Sequence, residues 1–245
     1  MSVANPAPSR SADTVLSIDG LTSGYGAAMV VRNVSLNLRP GEIVAVLGKN
    51  GMGKSTLLKT IMGFVPAASG KVALDGRNVT NMAPHLIARN SVAYAPQEFT
   101  LFQDLTVEEN LRLGVASDRM FRERLTSLRD VFPRIVERLN QRAGTLSGGE
   151  QKMLLMSRAV LASPKLMLVD EISEGLQPTM IERMAEILRR TRAEQGTAVL
   201  LVEQHLAFAL SVADRYAVLK LGEIVEEGPA GNPKAAQTLA EHLKV

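Results

Sequence analysis

The feature that most constrains this chain is a glycine-rich segment, Gly48–Thr56 (GKNGMGKST). It fits the pattern G-x-x-x-x-G-K-[ST] at every fixed position. The apolar run Ile43–Leu47 before it predicts a buried strand, and Thr56–Met62 after it predicts a helix with one apolar side. A strand, a glycine loop and a helix in this order indicate a phosphate-binding loop, rather than a glycine-rich turn that happens to end in Lys-Ser.

The residue types in this phosphate loop suit the phosphates of a nucleotide. Glycines let the backbone pass close to phosphate oxygens, because no Cβ atom stands in the way. Backbone N–H groups and the N-terminus of the following helix offer partial positive charge. Lys54 can reach the β- and γ-phosphates, and the Ser55 hydroxyl can ligate Mg²⁺. The predicted phosphate-binding residues are Gly48, Asn50, Gly51, Gly53, Lys54, Ser55 and Thr56.

Composition argues against several other kinds of protein. The net charge of +3 is too small to indicate nucleic-acid binding. The absence of cysteine excludes disulfides and thiolate metal sites. No apolar run approaches the roughly 20 residues that a membrane helix needs. Residues 1–14 are rich in Pro, Ala and Ser and lack the apolar stretch of a secretory signal, so we expect a disordered extension there.

The order of the predicted elements indicates an α/β fold. From about residue 96 to 160 the pattern is helical, and afterwards strands alternate with helices, which predicts a mostly parallel sheet covered by helices. The other predicted strands are Val15–Leu21, Val30–Leu38, Lys71–Leu74, Asn90–Ala95, Leu166–Val169, Ala198–Val202 and Tyr216–Leu219. The other predicted helices are Thr106–Gly114, which starts with a capping-box pattern, Asp118–Phe132, Gly149–Leu161, Pro178–Gln195 and Gln204–Asp214.

Two carboxylates follow the predicted strand Leu166–Val169. In a parallel sheet, ligands bind beyond the carboxyl ends of the strands. Asp170 is therefore placed to hold Mg²⁺ at the phosphate loop, directly or through water. Glu171 can act as the general base that polarises an attacking water. A solvated acidic turn is the alternative, and the phosphate loop in the same chain favours the magnesium site.

A second glycine-rich segment, Leu146–Gln151 (LSGGEQ), precedes a predicted helix. By its residue types it is either a simple N-cap or another anion site. The sequence of this segment resembles the signature motif of the ABC transporter ATPase family. The resemblance to that family extends along the chain from about Val15 to about Gly228. It implies an α/β P-loop NTPase fold with a mostly parallel core sheet, an antiparallel β subdomain and a helical subdomain, and it implies ATP and Mg²⁺ as cofactors. On this pattern residues 15–245 form one ABC ATPase domain, with a RecA-like core at about 15–95 and 161–245 and a helical subdomain at about 96–160.

The resemblance also implies roles for three further residues. Tyr25 would stack on adenine, although it could simply be a tyrosine at a strand end. Gln97 in the sequence YAPQ would contact Mg²⁺ or the attacking water and sense a membrane partner, although it could be a polar loop residue. His205 would contact the γ-phosphate and orient Glu171 or water, although a histidine here could cap a helix. The implied catalytic residues are thus Glu171, His205, Gln97 and Lys54, and the implied metal ligands are Ser55, Gln97 and Asp170.

The signature motif further implies a second subunit. In the family that this chain resembles, Ser147, Gly148 and Gly149 contact the γ-phosphate held by another chain. One chain carries one phosphate loop and one signature motif, so a complete site requires a head-to-tail pair. The pair is either a homodimer or a heterodimer with a paralogous ATPase, and it would close on two ATP molecules and open after hydrolysis.

Other segments are similar to one branch of the family, the importer ATPases for branched-chain amino acids, amides and urea. These segments are Gly48–Gly53, Leu105–Leu111, Phe132-Pro133, Gln141–Ser147, Glu174–Pro178 and Ala213–Tyr216. The resemblance implies a subunit at the cytoplasmic, inner face of the membrane that docks transmembrane permeases and serves a solute-binding protein indirectly, without nucleic acid. The groove beside Gln97 and residues near Phe99–Phe102 would contact the permeases, unless these rings pack into the chain's own core.

Three other functions stay open on the sequence. The first is an ABC ATPase for another solute, and the second is a soluble ABC ATPase that acts on ribosomes or DNA. Members of that second class usually carry two cassettes or a long heptad stretch, and this chain has neither. The third is a module that clamps ATP without turnover, against which the intact Glu171 argues.

The chain departs from the family pattern at two positions near the predicted base. Ile172 stands where most members have Pro, so the loop start lacks a fixed φ angle and we expect a modest effect on hydrolysis. Gln177 stands where many members carry Asp at the dimer interface, which puts communication between the two sites in doubt.

Overall fold

A computed structural model describes residues 14–97 and 101–233, together with 235, 236 and 239. The predictions for residues 1–13 and for Phe99 lie outside this part. The strands are β1 (Leu16–Tyr25), β2 (Ala28–Leu38), β3 (Ile43–Leu47), β4 (Ala67–Leu74), β5 (Arg77–Asn78), β6 (Val92–Ala95), β7 (Leu166–Asp170), β8 (Ala198–Glu203), β9 (Arg215–Lys220) and β10 (Glu223–Pro229). The helices are α1 (Lys54–Ile61), α2 (Pro84–Ala88), α3 (Val107–Arg112), α4 (Asp118–Val131), α5 (Pro133–Val136), α6 (Gly148–Leu161), α7 (Pro178–Gln195) and α8 (Leu206–Val212), with a 3₁₀ turn at Ala143–Thr145.

The main sheet has six strands in the order β10-β9-β3-β8-β7-β6. The last five of these strands run parallel, and β10 pairs antiparallel with β9 at one edge. Every residue of β3, β7 and β8 is buried, as expected for parallel strands that are covered on both faces. The predicted mostly parallel sheet is confirmed, and the carboxyl ends of β3, β7 and β8 meet at one edge.

The second sheet is antiparallel, with the order β2-β1-β4-β5. Its apolar residues pack with one face of the main sheet and with α1, whose Leu57, Leu58 and Ile61 are fully buried in this cluster. The helix that follows the phosphate loop is therefore held between the two sheets. This arrangement confirms the predicted antiparallel β portion of the fold.

The opposite face of the main sheet carries the helices α3 to α6, which lie in the chain between β6 and β7. Phe121, Phe132 and Met153 are buried in the cluster that joins these helices to the sheet. Helix α3 begins with the predicted capping box, because Glu109 N donates to Thr106 Oγ1 at 3.1 Å and Thr106 N donates to Glu109 Oε2 at 2.7 Å. None of the helices in the described ranges is long and apolar enough to cross a lipid bilayer.

Most element boundaries differ by a few residues from those predicted, and β4 starts at Ala67 rather than Lys71. Three of the differences are informative. Strand β1 continues to Tyr25 rather than Leu21, because the tight turn to β2 pairs Tyr25 with Ala28. Helix α8 starts at Leu206 rather than Gln204, because β8 extends to Glu203. Helix α4 ends at Val131, since Phe132 precedes a proline and leaves the helical region.

Candidate functional site

The phosphate loop leaves the carboxyl end of β3 through two glycines that the packing requires. A Cβ atom on Gly48 would lie 2.5 Å from the carbonyl oxygen of Leu219 on β9. Gly53 has a φ angle of +100°, and a Cβ atom there would lie 3.0 Å from the carbonyl oxygen of Val30. The loop therefore fits between β2 and β9 only without side chains at these positions.

A cavity of about 280 Å³ opens above this loop, and we call it the phosphate cavity. It lies at the N-terminus of α1, where unpaired backbone N–H groups favour an anion. It brings together eight of the predicted site residues. They are Asn50, Gly51, Gly53, Lys54, Ser55, Thr56, Gln97 and Glu171.

Lys54 is the buried cation of the cavity, with 3% of its surface exposed. Its Nζ atom donates to the carbonyl oxygens of Gly48 at 2.7 Å and Lys49 at 2.9 Å. It also forms an ion pair with Glu171 Oε1 at 2.9 Å. A triphosphate that enters the cavity would therefore compete with Glu171 for the ammonium group.

Asp170, the last residue of β7, lies against the hydroxyl of Ser55. Ser55 Oγ donates to Asp170 Oδ1 at 3.0 Å, and Tyr94 Oη donates to Asp170 Oδ2 at 3.4 Å. Burial raises the pKa of Asp170 to about 6, with a further rise from the nearby Glu171 carboxylate, while the hydrogen bonds from Ser55 and Tyr94 act in the opposite direction. Two hard oxygen ligands are thus adjacent, as magnesium prefers.

The Ser55 hydroxyl and the Asp170 carboxylate are the groups that could ligate a metal ion beside the phosphate loop. No group of three His, Cys, Asp or Glu side chains within the described residues could hold a metal ion by itself. This fits Mg²⁺, which usually keeps several waters and binds through one or two protein groups plus substrate phosphates.

Glu171 follows directly after the strand in a left-handed backbone conformation, with a φ angle of +45°. Such a conformation costs a non-glycine residue roughly 1–3 kcal/mol, so the surroundings must hold it in place. Besides the ion pair with Lys54, Glu171 Oε2 accepts a hydrogen bond from Gln97 Nε2 at 3.2 Å. Gln97 Nε2 also donates to Glu174 Oε2 at 2.7 Å.

The signature segment, Leu146–Gln151, starts α6 with a capping box. Glu150 N donates to Ser147 Oγ at 3.4 Å, and Ser147 N donates to Glu150 Oε2 at 2.9 Å. Ser147 and Gly148 are exposed, and neither lines the phosphate cavity of its own chain. Gly148 and Gly149 instead line a second, open cavity of about 640 Å³, to which Gln97 also contributes.

Seven predicted site residues do not line the phosphate cavity. Four of them are described above: Asp170, which contacts Ser55 of the lining, and the signature residues Ser147, Gly148 and Gly149. The other three are Tyr25, His205 and Gly48. Tyr25 lies at the β1–β2 turn with 55% of its surface exposed. His205 is exposed at the N-terminus of α8, where its backbone N donates to Glu203 Oε2 at 3.4 Å. Gly48 does not line the cavity, but its carbonyl oxygen accepts a hydrogen bond from Lys54.

The two departures from the family pattern occupy different surroundings. Ile172 is buried, with 1% of its surface exposed, and packs into the cluster that joins the helices to the sheet. Gln177 is exposed and precedes α7 without a side-chain cap.

Two buried charged residues beside the site escaped the sequence analysis. Glu203, at the end of β8, accepts hydrogen bonds from Ser173 N at 3.0 Å and Ser173 Oγ at 2.9 Å. Burial raises its pKa, and these bonds act in the opposite direction. The sequence did carry a signal for Glu203, because this carboxylate ends an apolar strand just as Asp170 does. Lys152, on α6, carried no such signal.

Comparison with known proteins gives related chains over most of the length. A family model described as ABC transporter matches residues 31–174. The high-affinity branched-chain amino acid transport ATP-binding protein BraG of Pseudomonas aeruginosa is 43% identical, over 86% of this chain and 91% of its own. The probable branched-chain amino acid transport ATP-binding protein LivF of Archaeoglobus fulgidus is 34% identical, over 91% of this chain and 93% of its own.

Solved structures resemble the fold over a similar length. A nucleotide-free ATP-binding cassette from an ABC transporter superposes with a TM-score of 0.82 at 24% identity, over 93% of this chain and 95% of that chain. A dimeric structure of a bacterial ABC transporter cassette superposes with a TM-score of 0.78 at 25% identity, over 88% of this chain and 98% of that chain. The architecture described above is therefore similar to that of ATP-binding cassettes.

Proposed function

This chain belongs to the ABC transporter family, and from that membership we propose that it binds and hydrolyses ATP as the nucleotide-binding subunit of an ABC importer. The observation that carries the proposal is the convergence of Lys54, Ser55 and Glu171 on one cavity at the N-terminus of α1. A buried ammonium and a hydroxyl on a phosphate loop, together with a carboxylate from a neighbouring strand end, are groups that ATP hydrolysis uses.

We propose that the triphosphate takes the place of Glu171 on Lys54. The β- and γ-phosphates would accept from the Lys54 ammonium and from the loop amides between Gly48 and Thr56, with Asn50, Gly51 and Gly53 lining the path. Tyr25, exposed at the β1–β2 turn, would stack on the adenine ring.

We propose that Ser55 and Asp170 hold Mg²⁺, with Gln97 at the edge of the same cavity. When bound, Mg²⁺ would supply positive charge to the oxygens of the transferring phosphoryl group. Ser55 would give up its hydrogen bond to Asp170, so that both oxygens face the metal instead of each other.

Glu171 would then act as the general base. Once the triphosphate occupies Lys54, the Glu171 carboxylate is free to accept a proton from a water aligned with the γ-phosphate. Gln97, already 3.2 Å from this carboxylate, would orient the same water. The role of His205 at the γ-phosphate stays a prediction, because its exposed side chain lies outside the lining of the phosphate cavity.

We propose that Ser147, Gly148 and Gly149 act on the nucleotide of another chain. Support comes from their position, because Ser147 and Gly148 are exposed and do not line the phosphate cavity of their own chain. The partner is a second copy or a paralogous ATPase in a head-to-tail pair.

We propose the division of the chain on the same family pattern. The RecA-like core would span about residues 15–95 and 161–245, and the helical subdomain about residues 96–160.

The importer assignment and the solute class rest on the relatives. The named function of the relative at 43% identity supports uptake of branched-chain amino acids. Related amides and urea stay in the proposal because the sequence segments resemble importer ATPases for those solutes as well. The subunit would work at the inner face of the cell membrane with transmembrane permeases and, through them, a solute-binding protein.

Replacing the proposed base tests the enzymatic proposal. The variant Glu171→Gln keeps a hydrogen-bonding group but cannot accept the proton, so hydrolysis should fall by about a hundredfold or more while ATP still binds. With MgATP its mass by light scattering should double to that of a dimer. Lys54→Ala is the matched control, because it should lose ATP binding and stay monomeric. A Glu171→Gln chain that remains a monomer with saturating MgATP would contradict the head-to-tail pair.

Purification with partners tests the importer assignment. The chain, tagged and isolated from gently solubilised membranes of its source cell, should carry along two multispan permeases and a second ATPase. A solute-binding protein linked to them can then be titrated with leucine, amides and urea. Recovery of ribosomal or DNA-repair proteins without a permease would contradict the importer and leave the ATPase chemistry standing.

A further inference from the structure

The loop Glu171–Glu174, which we call the base loop, directs three backbone carbonyl groups at one buried ammonium. Lys152 Nζ lies 3.4 Å from the carbonyl oxygen of Glu171 and 3.4 Å from that of Ile172. It also donates to the carbonyl oxygen of Glu174. Lys152 has 8% of its surface exposed, so these carbonyls are its principal solvation.

No carboxylate in the described residues forms an ion pair with Lys152, although three lie near enough to influence it. Burial lowers the pKa of Lys152, and the charges of Glu174, Glu203 and Glu171 act in the opposite direction. A cation that is bound by carbonyls instead of a flexible carboxylate fixes backbone position, because the carbonyls move only with the loop.

The other side of the base loop is held by donors. Ser173 gives its backbone N–H and its hydroxyl to the buried carboxylate of Glu203. The loop is therefore fixed between a cation on α6 and an anion at the end of β8. Glu171, at the start of this loop, keeps its left-handed backbone inside that arrangement.

Lys152 also lies on the helix that begins with the signature segment. It lies about one turn after Gly148, the first residue of that helix, and it lines the open cavity together with Gly148 and Gly149. A shift of α6 that accompanies contact between Ser147 and a partner's nucleotide would carry the ammonium with it. The three carbonyls of the base loop would follow.

We propose that Lys152 is a positioning residue that sets the backbone of the base loop, and so passes contact at the signature segment to the Glu171 carboxylate of the same chain. The inference rests on the proposed function and extends it to communication between the two nucleotide sites of the pair. Lys152 does not line the phosphate cavity, and its contact with Glu171 is to the backbone carbonyl oxygen, so its effect should fall on turnover and spare ATP affinity.

The test compares two variants of Lys152. Lys152→Met keeps a long side chain but removes every hydrogen-bond donor, whereas Lys152→Gln keeps an amide that can donate to some of the three carbonyl oxygens. Lys165→Met is the matched control, since Lys165 is an exposed lysine paired with Asp75 at the surface. We expect Lys152→Met to lower kcat at least about tenfold while the dissociation constant of a fluorescent ATP analogue stays within about twofold. The kcat of Lys152→Gln should lie between those of Lys152→Met and the wild type, and the kcat of Lys165→Met should match the wild type.

The outcomes separate a positioning role from packing alone. A Lys152→Met chain with wild-type kcat contradicts the inference, as does one whose kcat, nucleotide affinity and urea midpoint all fall together. If Lys152→Met does not fold, Lys152→Gln decides instead. A kcat that falls while the dissociation constant of the ATP analogue is unchanged supports the inference, and a wild-type kcat or a joint loss of kcat, affinity and stability contradicts it. A wild-type chain that hydrolyses no ATP contradicts the proposed function itself, whereas a hydrolysing wild type with an unaffected Lys152→Met contradicts the inference alone.

Discussion

At the scale of the residue, the site is a set of buried ionisable groups that already have partners within the chain. Lys54 is paired with Glu171, and Asp170 is held by the hydroxyls of Ser55 and Tyr94. Each of these contacts occupies a group that the proposed reaction would use. The nucleotide and the metal would therefore have to replace existing contacts within the chain, because these groups already have partners.

The raised pKa of Asp170 makes a prediction about stability in the absence of metal and nucleotide. A carboxyl group whose pKa is about 6 in the folded protein and 3.8 in the unfolded chain favours folding most below pH 3.8, and this contribution is lost as pH rises toward and past 6. Asp170→Asn removes the titration, so its free energy of unfolding relative to wild type should rise between pH 5 and pH 7.5 by about 1.4 kcal/mol. Urea unfolding in EDTA at both pH values measures it.

The matched control is Asp75→Asn, which removes a surface carboxylate paired with Lys165. Its free energy of unfolding relative to wild type should change little over the same interval, since an exposed ion pair contributes little. A difference between Asp170→Asn and wild type that is the same at pH 5 and pH 7.5 would show that Asp170 is not destabilised by burial.

Residue-scale prediction from sequence worked where fixed spacing encodes geometry. Lys54 and Ser55 lie six and seven positions after Gly48, so the phosphate-loop pattern places them together without tertiary information. Lys152 and Glu203 reach the base loop only through the packing of α6 and β8. A lysine in an amphipathic helix is ordinarily solvated, and only the fold shows that this one is buried.

At the scale of the element, two helices of the helical group start with the same device. Helix α3 begins at the capping box of Thr106 and Glu109, and α6 at that of Ser147 and Glu150. Both hydroxyls accept from a backbone N–H three residues on. They therefore make the same local contribution to stability, but only the second belongs to the proposed nucleotide interface.

This pair of caps separates stability from function. Thr106→Ala and Ser147→Ala should each lower the free energy of unfolding by about 1 kcal/mol, because each removes one N-cap acceptor. Only Ser147→Ala should also lower the ATPase rate, by about tenfold or more, because it loses a hydrogen bond to a charged phosphate. Urea unfolding and steady-state phosphate release on the two variants measure the contrast. Equal ATPase rates would remove Ser147 from the proposed interface.

Some elements were invisible in the sequence for a physical reason. Strand β10 alternates between exposed and half-buried residues and buries no face, so it shows no apolar period. Helix α2 has five residues, of which only Ile87 is buried. The fully buried strands β3, β7 and β8 were predicted, because continuous apolar runs between turn signals are typical of them.

At the scale of the whole molecule, the proposed nucleotide site is divided between the phosphate cavity and the exposed signature segment. The phosphate cavity lies at the carboxyl edge of the main sheet, and Ser147 and Gly148 are exposed outside its lining. Strand and helix alternation predicted a parallel sheet, but not the order β10-β9-β3-β8-β7-β6, because several orders satisfy the same alternation. That order is what brings Asp170 on β7 beside Ser55.

Mixing two inactive variants tests most directly the claim that two chains complete the site. Gly148→Asp adds a side chain where a Cβ atom would meet nothing within 4 Å, so it should fold normally yet place a carboxylate against a partner's phosphate. Glu171→Gln lacks the base. Each should be inactive alone, and an equal mixture should recover up to about a quarter of the wild-type ATPase rate, since half of the pairs are mixed and each has one intact site. A mixture as inactive as its components, or a Gly148→Asp chain with the wild-type rate, would contradict the account.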